Sequence, residues 1–321
     1  MGTTLLDDHA APTPPRWAGP TPFRSAREAG VMAFFFACAV ITVLTTAGIV
    51  LVLGVETLAF FRVSGQSPVE FLTGTRLEPG ADPPRFGILP LIWGTMVIAV
   101  GSSIIALPIG LLSAIFLSEY AHRGVRAVLK PTLELLAGIP TIVYGYLALL
   151  LVTPVLQGVL EPIGLSVETY NALSACIVVG VMIIPMVSSL SEDVLSAVPQ
   201  ALREAGYGLG ATKFEVSTRI VLPAALSGVI SSFILAISRA IGETMAVVLA
   251  AGLKPQITMD PLKSIETMTA YIAGVASGGE AAGGSVESLS LFAVGMALFL
   301  ITLTLNLFSG VVLRRFRETY Q

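Results

Sequence analysis

Apolar residues in this chain run in long blocks separated by polar, Pro or Gly clusters. Six blocks stand out, at residues 31 to 61, 89 to 118, 131 to 157, 171 to 190, 223 to 252 and 289 to 313. Each can cross a hydrocarbon core of ~30 Å, which takes roughly 20 residues of helix. A β-barrel is the other structure that satisfies its backbone in lipid, and it would show short alternating segments. The pattern lacks these and predicts an all-α integral membrane protein with six transmembrane helices. Pro108, Gly110, Gly138, Pro140, Gly145, Gly180 and Pro185 lie inside the blocks, as expected where small residues let membrane helices approach closely.

Composition agrees with this reading. The chain is 54% hydrophobic and 12% charged, with a mean hydropathy of +0.85, where soluble domains carry about 25% charged residues. The net charge of −3 says less than the placement of the cations, because cytoplasmic loops carry the excess of Lys and Arg. With the N-terminus inside, Arg16, Arg24, Arg27, Arg123, Arg126, Lys130, Arg203, Lys213, Arg219, Arg314, Arg315 and Arg317 fall on the cytoplasmic side. Arg62, Arg76, Arg85, Lys254 and Lys263 fall outside. These twelve and five, with Arg239 inside a span, account for all 18 basic residues, so both termini are expected in the cytoplasm.

Residues 1–28 form a Pro-rich, polar stretch expected to be a disordered cytoplasmic tail, with the six-span domain over 29–318 and outer loops at 62–88, 158–170 and 253–288. The first apolar block is too long for a cleaved signal peptide. Leu6 stands where a myristoylation signal needs Ser or Thr. Cys38 and Cys176 fall in apolar blocks and read as small buried hydrophobes. His9 and His122 are the only histidines and have no candidate ligands near them in sequence, so no metal site is expected and a membrane enzyme is the weakest reading.

The most informative cytoplasmic segment lies between the fourth and fifth blocks. Its pattern is E-A-G-x3-G-x9-I-x-L-P, carried by Glu204, Ala205, Gly206, Gly210, Ile220, Leu222 and Pro223. It predicts two short helices meeting at Gly210, with Pro223 in the first turn of the next span. This spacing resembles the EAA loop of ATP-binding-cassette (ABC) importer permeases, with Gly206 where that family most often has Ala. The resemblance implies that residues 201–223 seat in a separate ATPase. In keeping with that, the chain has no Gly-Lys dipeptide and so no phosphate-binding loop of the G-x-x-x-x-G-K-[ST] type.

A second signal is charge in the membrane. The fifth block carries Arg239 and Glu243, and an Arg at mid-bilayer costs about 2.5 to 3.5 kcal/mol on insertion scales, which makes it a functional-site hypothesis. The two are four apart, hence neighbours on one helix face, and can pair. Alternatively, Arg239 offers its donor fork to an oxyanion and Glu243 accepts the hydroxyl proton of phosphate, which sulfate lacks at neutral pH.

The stretch Ser238 to Val247, S-R-A-I-G-E-T-M-A-V, is similar to the fifth-span signature of phosphate-specific ABC permeases on the PstC branch. Leu133 to Gly145 is also similar, including Glu134, for which a helix-interface hydrogen bond is expected. The resemblance covers about residues 25 to 315. It implies type I ABC importer permease architecture and phosphate import across a cell inner membrane. The implied partners are a PstA-like permease, a dimer of PstB-like ATPases and a PstS-like phosphate-binding protein, with no nucleic acid. No cofactor would bind this chain, and ATP-Mg would sit on the ATPase. The rivals are an ABC permease for sulfate or molybdate, the sister PstA-type permease, and a secondary anion transporter, which would show inverted repeats.

Overall fold

The computed structural model describes residues 22–278 and 285–316, and for residues 22–27, 309 and 312–316 the backbone only. Residues 1–21 of the expected tail and residues 279–284 of the last outer loop lie outside the described residues.

The chain divides into two units, Met1–Val52 and Leu53–Gln321. What is described of the first is helix alone, the N-terminal part of α1 (Pro22–Ser64), with Phe34, Phe35, Phe36 and Cys38 exposed along it. Cys38 is therefore not the buried hydrophobe expected, whereas Cys176 is buried.

In the second unit, α1 ends near a short helix, α2 (Pro68–Thr73), and a two-stranded hairpin of β1 (Leu77–Glu78) and β2 (Arg85–Phe86). Phe60 stacks edge-on against Phe71 and Phe86 at 5.5 and 5.3 Å, which fixes this small outer layer on the end of α1. Then come α3 (Leu89–Ile115), α4 (Arg123–Ala137), α5 (Thr141–Leu147), α6 (Thr153–Leu160) and α7 (Ala172–Ser196). They are followed by α8 (Gln200–Gly208), α9 (Lys213–Val216), α10 (Leu222–Ala224), α11 (Leu226–Ile241), α12 (Met245–Ala251), α13 (Met268–Ser277) and α14 (Val286–Phe316).

Among the described residues, five helical stretches are long and apolar enough to cross a membrane, and a sixth counts if the pair Lys213–Ala224 and Leu226–Ile241, bent by 73°, is one span. Two expected boundaries are wrong. The third span starts at Thr141, not 131, because Pro140 lacks an N–H and the helix before it stops at Gly138. Residues 123–137 form a separate amphipathic helix instead. The fifth span is not continuous either: it bends at Ala225 and breaks again between Ile241 and Met245.

Helices α3 and α7 pack along their lengths, and α11 leans on both. Small residues make the approach possible. Gly180 of α7 faces Ile105 and the Ser102 carbonyl, and Gly145 of α5 lets Leu249 and Ala246 of α12 come within van der Waals contact.

Between α12 and α13 the chain folds back over the first turns of α3 and α7. The Trp93 indole donates to the Thr258 carbonyl at 2.8 Å, the Met268 N–H donates to the Thr95 hydroxyl at 3.0 Å, and the Ala172 N–H donates to the Lys263 carbonyl at 3.0 Å. A methyl group built on Gly94 would overlap the backbone carbonyl of Glu266. Gly94→Ala is therefore expected to destabilise the chain by about 1–3 kcal/mol or more, since backbone cannot swing away as a side chain can. An unchanged thermal melting temperature of the purified variant would contradict this packing.

Candidate functional site

Three constellations of charged residues emerge. The first is the loop between α7 and α11. Helices α8 and α9 meet at Gly210, whose φ of +83° is a left-handed conformation that favours glycine. Thr212 and Glu215 form a reciprocal capping box at the start of α9, which holds the Glu215 carboxyl below its usual range.

Glu204 and Ala205 are exposed on α8, and beside them Leu209 and Phe214 are 90% and 68% exposed, an apolar knob on a charged elbow. Gly206 faces inward, where a Cβ would lie 2.5 Å from Ile220 Cδ1 and 3.1 Å from Val216 Cγ2. The motif's Gly and Ile are thus contact partners across the elbow. Leu222 and Pro223 follow on α10, before the bend at Ala225, so Pro223 precedes the long arm of the fifth span and does not open it. Gly206→Ala is expected to be mild, because the tip of Ile220 can move. Gly210→Ala is expected to cost about 1–2 kcal/mol. Equal thermal melting temperatures of the two purified variants would count against this geometry.

Arg203 was read from sequence only as a cytoplasmic cation, but it anchors this elbow. Its guanidinium donates to Glu119 Oε1 from Nη2 at 2.9 Å and from Nε at 3.2 Å, and to the carbonyls of Val198 and Leu195 at 2.5 and 2.8 Å. It thereby joins α8 to the C-terminal ends of α3 and α7. A signal existed in sequence: Glu119 is the lone acid at the end of an otherwise apolar span.

The second constellation fastens α4. The fully buried Glu192 of α7 receives Arg126 and, at 2.6 Å, Lys130, while Lys130 also reaches Asp193 at 2.5 Å and Ser196 bridges Arg126 and Glu192. Asp193 and Glu192 together raise the Lys130 ammonium above its ordinary range. This helix also carries Glu134, which is exposed and makes no hydrogen bond among the described residues, so the expected interface bond is absent. The reason is local: Gly138 and Pro140 end α4 before the third span, leaving Glu134 outside it.

The third is the break in the fifth span. Helix α11 ends at Ile241, and α12 begins at Met245. Arg239 lies exposed on the last turn of α11 and has no ion pair among the described residues. Glu243, 7% exposed, sits in the break, where its Oε1 accepts the Ala246 N–H at 3.2 Å and its carbonyl accepts the Thr269 hydroxyl at 2.8 Å. The two do not pair. Four residues share a face only along an unbroken helix, and here the turn is lost at Gly242.

Sequence reading also missed Glu266, in the connection before α13. It is 6% exposed, and burial pushes its carboxyl up to about 7.

Together, a bundle of apolar spans, a charged elbow at one end and an interrupted span carrying opposite charges define a membrane permease component. Residues 106–318 match the family described as binding-protein-dependent transport system inner membrane component, and the chain belongs to that family. A probable ABC transporter permease protein of Bacillus subtilis, YqgH, is 35% identical over 83% of this chain and 84% of its own. The phosphate transport system permease protein PstC of Mesorhizobium japonicum is 32% identical over 91% of this chain and 94% of its own. Among solved structures, a bacterial ABC transporter involved in alginate import has a chain that superposes with a TM-score of 0.61, at 15% identity, covering 92% of this chain and 100% of that one. The MetNI methionine ABC transporter gives 0.53 at 16% identity, covering 72% and 95%. These likenesses establish the ABC permease fold.

Proposed function

We propose that this chain is the permease half of an ATP-driven inorganic phosphate importer of the PstC type. The observation that carries the reading is the interrupted fifth span. It leaves Arg239 exposed on the last turn before the break and buries Glu243 within the break, in a chain with relatives named as phosphate transport permeases.

Broken membrane helices supply ion sites because the break frees backbone groups and positions charge. Arg239 offers a planar fork to the oxyanion. Glu243 commits Oε1 to Ala246, leaving Oε2 to accept the proton of a phosphate hydroxyl. That requirement selects against sulfate, since a buried acceptor facing a proton-free oxygen is left unsatisfied and repelled.

A PstA-like permease would complete the pathway and a pair of ATPases holding ATP-Mg would drive it, with a soluble phosphate-binding protein delivering substrate on the opposite side. Residues 201–223 would meet the ATPase through the Leu209 and Phe214 knob, and both termini would then lie in the cytoplasm. The tail and loop boundaries given above belong to the same reading.

Active transport is required on energetic grounds. Carrying a dianion inward against 100 mV costs about 4.6 kcal/mol, at about 2.3 kcal/mol per charge. The test is uptake of labelled phosphate, sulfate and molybdate by proteoliposomes holding the chain with its partners. Phosphate accumulation that a tenfold excess of sulfate leaves unchanged is expected. Equal uptake of sulfate would sink the substrate assignment.

A further inference from the structure

Glu266 is a buried acid without a partner. Among the described residues no hydrogen bond or ion pair reaches its carboxylate, although the residue is more than nine-tenths buried. Its backbone is wedged against Gly94, and the neighbouring Met268 N–H is tied to Thr95, so the first turns of α3 fix its position. The side chain faces a cavity of about 460 Å³ that is walled by Leu77, Pro79, Leu253 and Pro255 and has a second carboxylate, Glu287, on its lining.

A desolvated carboxyl either keeps its proton or ionises beside a cation. A metal ion is a poor match, since no group of three His, Cys, Asp or Glu side chains able to hold one occurs among the described residues. A cavity walled by apolar side chains and lined by two carboxylates instead suits an alkyl stem that ends in a positive charge. Lys254 lies in sequence between two of the wall residues, yet it is exposed and has no ion pair among the described residues.

The cavity lies by the first turns of α3, while the elbow anchored on Glu119 lies at the other end of that helix. It therefore opens on the side from which substrate would be delivered. A second cavity of about 580 Å³ is lined by Arg76 and Arg85 and also by Glu70. An acid-lined cavity and one with an excess of basic groups, both bordering the β1–β2 hairpin, favour one orientation of a folded partner.

We propose that the Glu266 cavity is a socket for a Lys or Arg side chain of the soluble binding protein, an inference that rests on the binding-protein-dependent reading above. The test measures docking of the binding protein on the complete transporter in nanodiscs, with assembly checked by copurification of the partner chains. Glu266→Gln is expected to weaken docking at least tenfold. n-Butylammonium is expected to compete with docking on the wild type, beyond the effect of equal sodium chloride or of n-butanol, and to lose that effect on the variant.

Unchanged docking by Glu266→Gln, or no advantage of butylammonium over sodium, would overturn the socket and leave the transport reading intact. So would a loss of competition produced by Lys254→Met alone, which would make Lys254 the occupant. Absence of any docking on the wild type would overturn both readings.

Discussion

Arg203→Ala is expected to reduce ATP-driven uptake at least tenfold, even though residue 203 lies outside the E-A-G motif. Its side chain has about one-tenth of its surface exposed and closes a five-bond junction between α8, the carboxylate of Glu119 and the carbonyls of Leu195 and Val198 at the end of α7. Truncation leaves Glu119, itself 5% exposed, as a buried charge without its cation, a situation that costs about 3–5 kcal/mol in proteins. The consequence for transport follows from position: the junction is where the elbow holds the ends of two central spans. Arg203→Lys restores one charge but not the fork, so stability should return in part while coupling remains poor. Uptake and ATPase stimulation measured together separate these effects. Normal uptake by Arg203→Ala would remove the junction from the coupling route.

Arg239→Ala should behave in the opposite way, with little loss of stability and a large loss of transport. The side chain is exposed and holds no ion pair among the described residues, so truncation orphans no buried group within the chain. Two charge-assisted hydrogen bonds to an oxyanion are worth roughly 1.5–3 kcal/mol each, enough to lower phosphate uptake about a hundredfold. Glu243→Gln tests selectivity at the same break. The amide oxygen can still accept the Ala246 N–H, so the break should persist, but the amide can now donate to a proton-free oxygen. A rise in sulfate uptake relative to phosphate is expected. If Arg239→Ala transports normally, the break is not the anion site.

The six apolar blocks were legible because lipid imposes a length and a polarity that few other environments do, and the elbow was legible because its glycines and Pro stand at fixed spacings. The interruptions were not. Residues 131–137 are apolar enough to merge with the third block, and only the restriction imposed by Pro140 separates them. In the fifth span, Gly242-Glu243-Thr244 contains no proline; the break is held locally by the Ala246 N–H on the Glu243 carboxylate and, from a distance, by the Thr269 hydroxyl on the Glu243 carbonyl. The second contact joins positions distant in sequence. The same reason hid the Arg203–Glu119 junction, whose partners are 84 residues apart, and the Glu192 clamp on α4. Glu266 was equally invisible, since nothing in its neighbourhood of sequence announces that a turn of α3 will bury it.

On the proposed function, this chain conducts phosphate only when a separate ATPase drives it. The decisive measurement loads proteoliposomes with ATP-Mg and follows labelled phosphate, with the ATPase chains present or omitted. Accumulation above the external concentration is expected only when both ATP and the ATPase are present. Accumulation without the ATPase, driven by membrane potential or an ion gradient, would make the chain a secondary transporter and overturn the proposal.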